Sequence, residues 1–239
     1  MKENLDAYSA AYSKDFAYAF DNDLILNWYP KRIVERKNGD SLLELGIGHG
    51  FTTALFSKHF KRHVVIDGSP KIVEDFKKSF PKVSADIVVE YFENFKTQEI
   101  FDSIVMGFVL EHVSNPEEIL RSYKKFLKPE GSLFLTVPNA EALNKRLGFE
   151  AGMIKDLFAL GDGDKALGHK NLFSVETLRK LIDKCGYRER HLEGLFLKPL
   201  TTQQILSLEL DPKIHEAMLK VGVKYPELSV GLLMEVSPK

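Results

Sequence analysis

A chain of 239 residues with 33 Lys and Arg against 34 Asp and Glu has a net charge of -1, so it carries no basic field to grip a phosphate backbone, and no nucleic-acid partner is expected. Its 44% hydrophobic and 28% charged fractions are those of a folded globular chain, and its length suits one large α/β domain with appendages. The lone Cys185 excludes an intramolecular disulfide and a Cys-rich zinc centre, no run of about 20 apolar residues exists to span a bilayer, and the opening MKENLDAYSAAYSK lacks the apolar stretch of a secretory leader, so a cytoplasmic setting is expected.

In chain order, residues 1–37 read as an aromatic-rich helical cap, with Tyr8, Tyr12, Phe16, Tyr18, Phe20, Trp28 and Tyr29 as packing rings. Residues 38–139 then alternate apolar runs with amphipathic stretches, the pattern of βαβ units. SLLEL at 41–45 is a buried strand, followed by a glycine turn and an amphipathic segment over 51–60. HVVI at 63–66 is a second strand, and a helix over 71–80 follows Pro70. Strands are expected over 86–91 and 101–106. A helix follows from Pro116 to Leu127, with Asn115 as its cap, Glu117 and Glu118 in its first turn and lysines near its end. A fifth strand over 131–137 ends at Pro138.

Past Asn139 the pattern breaks. Residues 140–172 read as an insertion, helical over 141–147 and glycine-rich over 160–171, suited to a lid over a site. Residues 173–239 resume with a helix over 175–185, capped by Ser174 and ended by Gly186. Strands within 187–197 and 228–236 and a helix-like stretch over 203–221 complete the chain. The fold expected is α/β, a doubly wound, mostly parallel seven-stranded sheet with an N-terminal helical segment and an insertion after the fifth strand.

The sharpest local signal is Glu44-Leu45-Gly46-Ile47-Gly48-His49-Gly50, an acid at a strand end followed by alternating glycines. Such a turn lets a ligand lie against bare backbone. A dinucleotide fingerprint needs G-x-G-x-x-G, but counting from Gly46 the last position falls on Phe51. The spacing instead suits a cofactor with a cationic amine and a carboxylate. Asp67 closes the second strand 21 residues beyond Gly46, where an acid accepts hydrogen bonds from a ribose diol.

Taken together, LLELGIGHG, VVIDGS, FDSIVMGFVLEHVSNPEEIL and YKKFLKPEGSLFLTVPN resemble, in order, the motifs of the class I S-adenosylmethionine-dependent methyltransferases of small-molecule type, over roughly residues 38–140. The later GHKNLFSVETLRKLIDKCGY is more loosely similar to members acting on sugars, quinones and other metabolites. The resemblance implies a Rossmann-like methyltransferase fold and S-adenosylmethionine as cofactor. It implies that Glu44 engages the methionine amino end, that Gly46 and Gly48 give backbone access, and that Asp67 holds the ribose with Gly68 and Ser69 beside it. Phe92 and Glu93 would lie against adenine, and Met106 and Gly107 would face the cofactor from across the crevice.

Methyl transfer from a sulfonium is an in-line displacement, so alignment supplies much of the catalysis, and a hydroxyl acceptor gains from a base of near-neutral pKa. His112 after the fourth strand is the first candidate for base or substrate positioning, and His169 in the insertion the second. His49 lies in the glycine turn; His59, His63, His191 and His215 read as packed or solvated. Asp162 and Asp164 are too few for a calcium loop, so no metal is expected there. Asn139 is a candidate donor to substrate or a turn residue. The function expected is methyl transfer to an oxygen or nitrogen of a small-molecule acceptor. The alternatives are a nicotinamide-dependent dehydrogenase and a non-catalytic S-adenosylmethionine-binding partner protein.

Overall fold

A computed structural model describes residues 19–239; Tyr8, Tyr12, Phe16 and Tyr18 of the aromatic lead-in lie outside the described residues. Helix α1 (Ala19–Arg36) precedes β1 (Ser41–Leu45), α2 (Phe51–Phe56), β2 (Arg62–Asp67), α3 (Pro70–Ser79), β3 (Asp86–Val89) and β4 (Phe101–Gly107). Then come α4 (Pro116–Tyr123), β5 (Leu127–Pro138), α5 (Leu143–Glu150), α6 (Asp162–Ala166) and α7 (Val175–Lys184). The chain closes with β6 (Tyr187–Leu195), α8 (Thr202–Ser207), α9 (Pro212–Gly222) and β7 (Gly231–Pro238).

The strands form one seven-stranded sheet in the order β3-β2-β1-β4-β5-β7-β6. The first five run parallel, and β7 runs antiparallel between β5 and β6. Side chains alternate across the sheet, so Leu43, Leu45, Ile104 and Met106 enter one core while Leu42 and Val105 enter the other. Burial on both faces explains why β1 and β4 read as continuous apolar runs. Because the order reverses between β1 and β4, the loops leaving their carboxyl ends part and open a crevice.

Several element ends differ from the sequence reading. The helix from Pro116 ends at Tyr123, tightens into a 3-10 turn over Lys124–Phe126 and leaves Leu127 already in β5; Pro129 disfavours helical geometry at Lys128, so the helix must end earlier. Helix α2 stops at Phe56, where Lys58 and His59 donate to carbonyls three residues back. The stretch over 203–221 is two helices, because Pro212 cannot continue the first, and Asp211 caps the second through the Lys213 N–H at 2.8 Å.

Helix α1 covers the second core with Ile25, Tyr29 and Ile33. It is clamped by Arg32, whose guanidinium donates two bonds of 2.9 Å to the fully buried Glu193, and by Arg36 to Glu235 at 3.0 Å. Among the described residues no helix is long and apolar enough to cross a membrane.

At the edge opposite the crevice, Asp102 accepts from the Asp40 and Ser41 N–H groups and the Ser41 hydroxyl, and pairs with Lys128 at 2.7 Å. Burial pushes its carboxyl up, but the Lys128 and Ser41 contacts outweigh this and hold it down at about 2. The stabilisation is therefore present above the ordinary value of about 3.9 and disappears as pH falls from there towards 2. Asp102→Asn is expected to flatten this acid limb in a pH series of urea midpoints.

Candidate active site

A cavity of about 640 Å³ occupies the crevice, floored by the carboxyl ends of β1, β2 and β4. On the β1 side the chain turns through Gly46, Gly48 and Gly50, all with positive φ. At Gly50 a side chain is excluded twice over, by φ 81° and because a Cβ would lie 2.6 Å from the Phe76 ring. Glu44 lines the cavity yet is buried, its carboxylate accepting from Thr52 Oγ1 at 2.8 Å and meeting His63 Nε2 at 2.9 Å. His63 thus positions the strand-end acid instead of merely packing. Asp67 accepts from the Ile47 and Ser69 N–H groups, each at 2.9 Å. These two bonds brace the glycine turn against the strand-end acid. Gly68 and Ser69 also line the cavity, Ser69 capping α3 through the Ile72 N–H. His49 lines it too, stacked on Phe51, and burial pushes its imidazole down.

The structure places two of the expected cofactor contacts outside the cavity lining. Phe92 lines the cavity but Glu93 is exposed and outside it, because Phe92–Asn94 is a 3-10 turn whose successive side chains point about 120° apart. Met106 is fully buried in the core, on the other side of the strand's alternation, whereas Gly107 lines the cavity. A Cβ at Gly107 would fall 2.3 Å from the hydroxyl of Tyr29, which descends from α1, so the ring or the strand would have to shift to admit one. Burial, with Glu44 and Glu111 nearby, pushes that phenol up. Gly107→Ala is expected to cost about 1–3 kcal/mol by overpacking. Tyr29→Phe in the same chain should recover part of that loss in chemical denaturation. Phe108 follows with φ 55°, a left-handed conformation held by its N–H to Thr136 and its ring against Tyr29 at 5.7 Å.

The other end of the cavity brings His112 and His169 together, ring centroids 4.9 Å apart and planes 72° inclined. The insertion docks by backbone: the Glu111 carbonyl accepts from the Lys170 N–H at 2.6 Å and the Asn171 N–H at 3.1 Å. The Asn171 amide also donates to the Leu110 and Val113 carbonyls at 3.0 and 2.7 Å. His169 Nδ1 meets Asp164 Oδ1 at 3.1 Å. Burial pushes the Asp164 carboxyl up, but His169, Lys145 and the Gly161 N–H outweigh it and leave it low. Glu111 is buried and lines the same space, and burial pushes its carboxyl up to about 8.

Asn139 is structural. It is 2% exposed, and its amide donates to the carbonyls of Pro226, Glu227 and Ser229 while accepting from the Glu141 N–H. Above the cavity, Lys198 pairs with Asp21 of α1 and donates to Thr202 at 2.6 Å, all three buried. Tyr29 read only as a packing ring, and Asp21 and Lys198 carried no signal in the sequence, since each enters the site only through long-range packing.

The model of the family described as a methyltransferase domain matches residues 20–192. The ubiquinone biosynthesis O-methyltransferase of Photobacterium profundum is 29% identical over 124 residues, 51% of this chain and 51% of that protein, so this match spans about half of each. The protein of the same name in Aliivibrio fischeri is 24% identical over 200 residues, 80% of this chain and 81% of that one. A solved S-adenosylmethionine-dependent methyltransferase of Thermotoga maritima superposes with TM-score 0.65 at 16% identity, covering 99% of this chain and 100% of that one, which shows the shared fold. The family match decides against the dehydrogenase alternative. On that match, with the glycine turn and the reversed strand order beneath it, the chain belongs to the methyltransferase-domain family, as a class I enzyme that uses S-adenosylmethionine.

Proposed function

We propose that the chain methylates an oxygen of a small, largely apolar acceptor bound between α1, the 140–172 insertion and the loop after β4. The meeting of His112 and His169 at one end of the cavity carries this reading. The relatives named as O-methyltransferases support oxygen over nitrogen.

The cavity residues fit the cofactor: two buried carboxylates line it beside a turn of bare backbone. Bound there, S-adenosylmethionine supplies an electrophilic methyl on sulfonium. Glu44 would hold its ammonium, Asp67 its ribose hydroxyls and Phe92 its adenine, with Gly46, Gly48 and Gly107 keeping side chains out of the way. His112 and His169 orient the acceptor hydroxyl and handle its proton, while α1 and the insertion exclude water. The buried lone thiol of Cys185 is in keeping with a cytoplasmic setting.

Transfer from labelled S-adenosylmethionine to a panel of phenols, sugars, hydroquinones and amines tests the reading. Methylated hydroxyls are expected. His112→Ala should cut turnover by about 10²–10⁴-fold while S-adenosylhomocysteine affinity stays near wild type. Products on amines alone overturn the oxygen assignment, and wild-type turnover in the variant removes His112 from proton handling.

A further inference from the structure

We infer that Glu111, His112 and His169 form a binding site for a divalent transition cation, zinc first, with an open position towards the acceptor. This rests on the function proposed above and specifies its acceptor class, a hydroxyl or pair of adjacent oxygens able to coordinate a cation. It also departs from the sequence expectation of no metal, at residues other than the Asp162 and Asp164 pair weighed there.

One ligand atom from each residue lies within 4.8 Å of the others. Ligands about 2.1 Å from a tetrahedral ion sit about 3.4 Å apart, so a contraction of at most about 1.4 Å from the 4.8 Å bound seats all three. Glu111 is 1% exposed and among the described residues its Oε2 has no hydrogen-bond partner, so the geometry holds that carboxylate oxygen against two imidazoles. An orphaned buried oxygen is costly unless something bonds it, and a cation does so.

The surroundings are those of a built site. Asp164 engages His169 Nδ1 at 3.1 Å and leaves Nε2 for the ion, the carboxylate–histidine arrangement that fixes tautomer and ring direction. The Lys170 and Asn171 N–H bonds to the Glu111 carbonyl lock the two ligand-bearing segments together. Two imidazoles and one carboxylate suit zinc or iron(II) better than magnesium or calcium. All three residues line the cavity, which leaves room for a further ligand from the acceptor.

In this arrangement the coordinated acceptor hydroxyl loses its proton to solvent water at a lowered pKa. The acceptor oxygen's lone pair forms the O–CH₃ bond as the C–S bond breaks. The electron pair of that bond returns to sulfur, giving neutral S-adenosylhomocysteine. His112 and His169 then act as ligands, and their proton handling passes through the cation.

The test uses the full chain stripped by chelator and titrated calorimetrically with Zn²⁺ alone, and with Co²⁺ followed by its visible absorption. One equivalent should bind, with a Co²⁺ spectrum of low coordination number. Asp164→Asn should weaken binding by about 10–100-fold. Glu111→Gln and His169→Ala should weaken it by at least as much, each checked for folding by circular dichroism. No stoichiometric binding to the wild type, or binding unchanged in folded Glu111→Gln and His169→Ala, overturns the inference. Metal binding without methyl transfer to any acceptor overturns only the function proposed above. Transfer to hydroxyls that survives chelation, with no metal bound, overturns only the metal site.

Discussion

Asp67→Ala is expected to lower affinity for S-adenosylhomocysteine by about 10²–10⁴-fold. Hydrogen bonds to a charged acceptor contribute about 1.5–3 kcal/mol each, a ribose diol offers two, and about 1.4 kcal/mol is a factor of ten. A second loss accompanies the first, since the carboxylate also accepts from the Ile47 and Ser69 N–H groups at 2.9 Å. Without it the glycine turn loses its brace and the chain loses about 1–3 kcal/mol of stability. Calorimetric titration and thermal melting measure the two effects separately. A melting shift with unchanged affinity would show that Asp67 supports the turn and does not touch the ribose.

Lys198→Met is expected to destabilise the chain by about 3–5 kcal/mol, the largest stability effect of a single change at the cavity. Lys198 and Asp21 are 3% and 5% exposed, and Thr202 bridges them by accepting from Lys198 at 2.6 Å and donating to Asp21 at 2.9 Å. Removing the ammonium leaves a carboxylate buried without its counter-charge, which costs far more than the pair itself is worth. The double variant Asp21→Leu with Lys198→Met should therefore recover most of the loss in urea denaturation, a non-additivity expected of direct partners. A single-variant loss under about 1 kcal/mol would mean that water reaches the pair and screens it. Because Asp21 anchors the start of α1 over the cavity, the folded fraction of Lys198→Met should also show a raised KM for acceptor.

The cofactor half of the site was largely legible because its parts are local. Gly46 and Gly48 follow directly on β1, Glu44 sits in its penultimate position, and Asp67 ends β2. Each is placed by a strand end and a turn that the sequence marks with apolar runs and glycines. Glu93 and Met106 each lie one residue from a neighbour, Phe92 and Gly107, that does line the cavity. In a 3-10 turn or a strand, one step changes which side of the chain a side chain occupies. His63 shows the same limit. Its contact with Glu44 follows from the β1–β2 register, in which Leu42 opposes His63 and Glu44 opposes Val65, putting both on one face. No property of either strand alone contains that register.

While the cofactor class came from the resemblance of its motifs to the methyltransferases, the sequence by itself determined the alternation of strands and helices, the glycine turn and the strand-end acids. These are set by backbone conformational preference and by periodic burial, which act over a few residues at a time. Only the tertiary structure decided that β7 inserts between β5 and β6, that Tyr29 reaches Gly107, that Lys198 pairs with Asp21, and that His169 arrives beside His112 and Glu111. Those meetings depend on how an irregular insertion hydrogen-bonds to a distant loop and how one helix packs across the sheet. Such contacts form when the whole core closes, and no local pattern in either segment encodes them.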